Sequence, residues 1–199
     1  MKKNFKILIN SSKTLNINEM VDKKENFDIP FFFEKNLTIA QELIYLSEKQ
    51  ISKNFKISEK VAKKTFEYFQ KYNQKLYPAI KIYDGTFFKQ LNLNSYDLSW
   101  LSEHVLIIDA FYGILKPFDL ISPYRLDFKY KNLSFDLYDF WKESINNYLN
   151  EFEIYSLASQ EFTNLLEKSK YVNLLEKFNL KTKKQRGQKF HEILLKKSL

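Results

Sequence analysis

A chain turns sharply only where its residues allow it, and this one offers very few such places. It has three glycines and four prolines in 199 residues. One of those glycines and two of those prolines fall between Gly113 and Pro123, within "AFYGILKPFDLISPYRL" (110–126). Glycine supplies positive φ or close backbone approach; proline fixes φ and bars helix continuation. The segment therefore reads as a rigid connection, and Arg125, one of two arginines in the chain, stands at its end.

Around this connection, short apolar runs alternate with helix-periodic stretches. Phe5–Ile9 is an apolar run stopped by Asn10-Ser11-Ser12, which predicts a buried strand ending in a polar turn. Leu37, Ala40, Leu43, Ile44 and Ile51 recur at helical spacing and predict a helix over about 38–52. Ser58 reads as the N-cap of a further helix with Val61, Thr65, Tyr68, Phe69 and Tyr72 on one face. Strands are predicted at 79–83, at "VLIID" (105–109) and at "EIYSLAS" (153–159). "LYDFWKESINNYLNEF" (137–152) and about 183–197 read as helices, with Tyr138 and Trp141 facing the core. The class is α/β (α+β): a single mixed-sheet domain over 1–199 with flanking helices.

Composition closes several routes. An apolar fraction of 44% is ample for a core, so the chain as a whole is not disordered. With no cysteine and two isolated histidines, neither a thiolate site nor a multi-histidine metal site is predicted, and no cofactor is expected. No apolar run approaches the ~18 residues of a membrane span, so the expectation is a cytoplasmic protein, a monomer in its simplest form. The net charge is +8 and its excess is local: residues 181–199 hold seven Lys or Arg against one acid, Glu192. A local basic patch attracts polyanions better than scattered lysine does.

Six strings recur in order along the chain: "LINSSKTL" (8–15), "YDGTFF" (83–88), "FYGILKPFDLISPYRLDF" (111–128), "LYDFW" (137–141), "SLASQEF" (156–162) and "KKQRG" (183–187). Together they resemble the YaaA family, bacterial proteins linked to the peroxide stress response. All three glycines and both arginines lie inside these strings. The resemblance implies a cytoplasmic DNA-binding protein of unusual α/β fold, with a helix-hairpin-helix element and a positively charged cleft. Its implied role is to limit damage from unincorporated iron and hydroxyl radicals. The chain departs from the family pattern at Asn10-Ser11-Ser12 (Ser-Pro-Ala), Thr86 (aspartate), Phe88 (tyrosine), Ala110 (glycine) and Lys116 (arginine). The family also continues past the last helix, so a chain shortened at the C-terminus is expected.

These readings name the residues expected to meet nucleic-acid phosphate: Lys13, Thr14, Gly113, Lys116, Tyr124, Arg125, Lys183, Lys184, Arg186 and Gly187. Gly113 suits a hairpin whose N–H groups meet phosphate oxygen, or a tight structural turn with Asp119 or Asp127 paired to Arg125. Lysine serves nearly everywhere else in this chain, so an arginine marks a place where a planar five-donor fork is wanted. On a helical wheel, Arg186 shares a face with Phe190, Ile193 and Leu194 and points toward the protein body or a cleft. Lys13 follows a strand, where it can anchor phosphate or, if desolvated, act as a nucleophile. Glu161 is a candidate acid partner of Lys13 or Arg125, and Ser159 a candidate helix N-cap. The expected partner is DNA, duplex or distorted. The alternatives are an enzyme acting on DNA or a nucleotide (a lyase or glycosylase using Lys13 and Glu161) and, less favoured by composition, an iron-binding protein.

Overall fold

The computed structural model describes residues 4–18 and 28–199. The first strand, β1 (Phe5–Asn10), is followed by α1 (Phe33–Leu43), α2 (Glu48–Phe55), α3 (Glu59–Gln70), β2 (Tyr77–Pro78), α4 (Ala79–Ile82) and α5 (Leu98–His104). The middle of the chain gives β3 (Val105–Asp109), β4 (Gly113–Leu115) and β5 (Leu120–Ile121). Then come α6 (Leu137–Leu149), β6 (Glu153–Ser156), α7 (Gln160–Thr163), β7 (Tyr171–Asn173), α8 (Leu174–Lys177) and α9 (Lys183–Lys196). The main sheet has the order β4-β3-β1-β6-β7, with β4 antiparallel to β3 and the other pairs parallel.

Strand β1 sits at the centre because it is apolar throughout its middle. Ile7, Leu8 and Ile9 are all fully buried, as a strand covered on both faces of a parallel sheet requires. It pairs with β3 on one side (Ile7 opposite Val105) and β6 on the other (Phe5 opposite Glu153). The chain thus leaves β1 for one neighbour and returns to the opposite one. At such a reversal the connections diverge and leave a crevice beyond the carboxyl ends of the strands. No helix among the described residues is long and apolar enough to cross a membrane.

Two expected elements are redrawn. The helix over 38–52 is broken: α1 ends at Leu43, and α2 starts after Ser47. Ser47 and Gln50 form a capping box, in which the Ser47 hydroxyl accepts from the Gln50 N–H (3.3 Å) and the Gln50 side chain accepts from the Ser47 N–H (2.9 Å). That local start signal outweighs the apolar periodicity running through it. The strand over 79–83 shrinks to Tyr77–Pro78 followed by one helical turn. The Ala79 and Ile80 N–H groups instead donate to the carbonyls of Asp119 (2.9 Å) and Pro117 (2.8 Å), on the rigid connection. Ser58 does occupy the N-cap position of α3, but its side chain makes no capping bond, and the buried face runs through Ala62, Thr65 and Phe69.

The glycine-bearing end of the connection, residues 109–113, is the turn of a β-hairpin between β3 and β4, with strands rather than helices on its flanks. Asp109 builds it by accepting the N–H groups of Phe111 and Tyr112, both at 2.7 Å, on Oδ1. Gly113 has φ +76°, and a Cβ there would lie 2.7 Å from the ring of Trp141. Trp141 is fully buried and donates its Nε1–H to the Ala110 carbonyl (2.9 Å), which locks α6 onto the hairpin.

Candidate functional site

The crevice predicted by the topology is present at the carboxyl ends of β1 and β6. Asn10 ties the two ends together: its Oδ1 accepts the Ser159 N–H (3.0 Å) and its Nδ2 donates to the Ser11 carbonyl (2.9 Å). Beyond it, residues 14–16 are zipped to 82–84 by the Asn16 N–H to Ile82 (2.8 Å) and the Asp84 N–H to Thr14 (2.8 Å). Gly85 passes close over Ser12, where a Cβ would meet the hydroxyl at 2.4 Å. The result is a hollow of about 280 Å³ bordered by Lys13, Thr14, Thr86, Glu161, Lys183 and Arg186. Residues from the beginning and end of the chain thus converge on one site.

Arg186 is the most unusual of them. It lies on the buried face of α9 with Phe190, Ile193 and Leu194, as the helical wheel predicts, and is 8% exposed. Its guanidinium makes one hydrogen bond among the described residues, a long one from Nη1 to the Leu157 carbonyl (3.5 Å). Among the described residues no carboxylate lies within 4.0 Å of it. Burial lowers its pKa from the usual arginine value, and arginine remains charged in proteins regardless. Its guanidinium thus borders the hollow without a carboxylate partner among the described residues. Its neighbour Gly187 serves packing: a Cβ there would lie 2.4 Å from the Phe87 carbonyl, so glycine lets α9 approach the 87–90 turn.

Lys13 and Thr14 form a ridge. On its far side is a second hollow of about 190 Å³, lined also by Lys64, Tyr68 and Arg125. Arg125 donates from Nη1 to the Lys13 carbonyl (3.4 Å) and has no carboxylate partner among the described residues. The expected Asp–Arg pair is therefore replaced. Asp127 pairs with Lys13 Nζ at 2.6 Å, and Asp119 turns inward to accept the Lys116 N–H (2.8 Å) on Oδ2.

Asp119 is 3% exposed, and its burial pushes its carboxyl up to about 7; the Lys116 N–H and ammonium oppose the shift less strongly. The folded protein therefore holds this proton where the unfolded chain, near 3.8, releases it. The resulting stability is fully present below pH ~4 and is lost as pH rises through about 7. In urea titrations from pH 4.5 to 8, the difference between wild type and Asp119→Asn should shift steadily against the wild type. Parallel curves would contradict this assignment.

The remaining expected residues lie elsewhere. Gly113 is sealed beneath Trp141 and cannot reach a ligand. Tyr124 is buried, with its hydroxyl on Asp109 Oδ2 and 2.9 Å from the Tyr83 hydroxyl. Lys116 pairs with Asp28 (3.4 Å) at the amino end of the sheet, where the charge of Lys6 senses it. Lys184 is exposed and does not border the hollow. Glu161 does border it but pairs with neither Lys13 nor Arg125, and its Oε1 is buried without a hydrogen-bond partner among the described residues. Ser159 holds the N-cap position of α7 without a side-chain bond. Sequence reasoning missed Asp109, which lies beneath the site; its position as the one charge ending "VLIID" was the available signal. Among the described residues no three His, Asp or Glu side chains group to hold a metal ion.

The chain is similar to known proteins over nearly its whole length. A family model described as peroxide stress protein YaaA matches residues 5–198. A UPF0246 protein of Rickettsia conorii is 34% identical over 197 residues, covering 94% of this chain and 78% of that one. One from Finegoldia magna is 36% identical over 170 residues (79% and 64%), and one from Rickettsia bellii 35% over 175 (82% and 70%). The match takes in β1, the hairpin and α9 alike, and the chain belongs to the peroxide stress protein YaaA family.

Proposed function

We propose that this peroxide stress protein binds DNA through its phosphate backbone, along a track from Lys183 and Arg186 over the Lys13 ridge to Arg125 and Lys64. The observation that carries this reading is Arg186: a buried guanidinium with no carboxylate within 4.0 Å among the described residues, at the wall of a crevice that Lys13 and Lys183 also line. Arg125, only half-buried and also without a carboxylate partner among the described residues, lines the adjoining hollow. Backbone binding by such cations is sequence-independent and dominated by released counter-ions. The second reading, an enzyme working through a Lys13 nucleophile, is less well supported, because Lys13 is exposed and its ammonium is tied to Asp127.

The test is fluorescence anisotropy of a labelled duplex over a range of salt concentrations. Each neutralised phosphate contributes about −0.9 to the slope of log K against log salt, so a track of four or five cations predicts a slope of about −4. Absence of binding at low ionic strength, or binding indifferent to salt, would overturn the proposal.

A further inference from the structure

The walls of the larger hollow carry three kinds of chemistry, and bare phosphate uses only one of them. Lys183 and Arg186 supply positive charge. Phe87, Phe88, Leu126 and Phe162 supply an apolar, largely aromatic wall. Glu161 supplies a carboxylate with one oxygen buried and without a hydrogen-bond partner among the described residues. A carboxylate repels phosphate, and an unpartnered buried acceptor costs free energy until a donor reaches it. At about 280 Å³ the hollow lies close to the lower end of the ~300–1,000 Å³ range of small-molecule sites, so a phosphate alone leaves it part-filled.

We propose that this hollow is a nucleotide site: the phosphate of one 5′-nucleotide unit rests on Arg186 and Lys183, its base lies against the phenylalanines, and Glu161 accepts a hydrogen bond from a sugar hydroxyl or base amine. The proposal deepens the DNA-binding reading and rests on it for the role of Arg186. Base–aromatic stacking contributes ~1–3 kcal/mol and tolerates any base, since every base has a π-face. Selectivity comes from Glu161, because a site built to receive an O–H or N–H discriminates strongly against ligands lacking one. The nucleotide unit has two possible sources, a free nucleoside monophosphate or the unpaired end of a DNA strand.

Calorimetric titrations with deoxynucleoside 5′-monophosphates and with inorganic phosphate test the proposal in wild type and Glu161→Gln, with thermal melts to confirm folding. Wild type should bind the nucleotides at least tenfold more tightly than phosphate. Glu161→Gln should weaken nucleotide binding about tenfold and leave phosphate unchanged or tighter, since a repelling charge is removed. Equal wild-type affinity for the two ligands overturns the proposal, as does a variant that binds nucleotides as well as wild type does. Duplexes with a 5′-phosphorylated single-nucleotide overhang, compared with blunt ones, separate the sources: competition by the overhang alone assigns the site to strand ends. If duplex binding keeps its salt slope while no nucleotide binds, the nucleotide site fails and the DNA reading stands. If nucleotides bind through Glu161 and no duplex binds, the DNA reading fails and the nucleotide site stands.

Discussion

Replacing Arg186 by alanine is expected to weaken duplex binding by about 10- to 100-fold at moderate salt, which corresponds to the ~1.5–3 kcal/mol of a hydrogen bond to a charged group. The slope of log K against log salt should fall by about 0.9, one phosphate's share. The effect on folding should be small by comparison. In the unliganded protein Arg186 makes one long bond to the Leu157 carbonyl and has no carboxylate partner among the described residues, so its charge is buried with little return. Arg186→Met, which keeps much of the volume, should melt at or above the wild-type temperature and still lose binding. A variant that melts normally and retains both affinity and slope would remove Arg186 from the interface.

The largest effect on stability is expected at Trp141. Truncation to alanine empties the space over the hairpin at a cost of about 3–5 kcal/mol, and the Ala110 carbonyl loses its indole donor as well. Domains of this size are stable by about 5–15 kcal/mol, so Trp141→Ala should be partly unfolded or shifted far toward low urea. Trp141→Phe retains most of the contact with Gly113 and loses mainly the hydrogen bond, about 1 kcal/mol. Equilibrium urea unfolding followed by circular dichroism resolves the two variants. Equal midpoints for them would mean that ring packing contributes little and the indole N–H carries the effect.

The regular elements were more legible in the sequence than the connections between them and the side chains they bring together. β1, β3, α6, β6 and α9 each carry a single dominant apolar period, and their positions followed from it. Arg186 could be placed on the inner face of α9 because that helix is regular for 14 residues. The errors arose where one local interaction overrode a period. The Ser47–Gln50 box split a helix, and the carbonyls of Pro117 and Asp119 captured the N–H groups that a strand at 79–83 would have used. Lys116, expected among the phosphate contacts with Arg125 because both lie in the 111–128 string, pairs instead with Asp28. The antiparallel return of β4 carries it to the opposite end of the sheet, and no property of residue 116 itself announces that reversal. The Lys13–Asp127 pair joins residues 114 apart, a choice of partner that depends on topology.

The central position of β1 also governs how the protein comes into being. Its ladder partners begin at Val105 and Glu153, roughly one hundred and one hundred and fifty residues downstream. During synthesis this central strand emerges before either of its partners and waits, with both edges open, until most of the chain has been made. Contacts of such long sequence separation slow folding and prolong exposure of an aggregation-prone edge. Newly made protein should therefore be the form most dependent on chaperones.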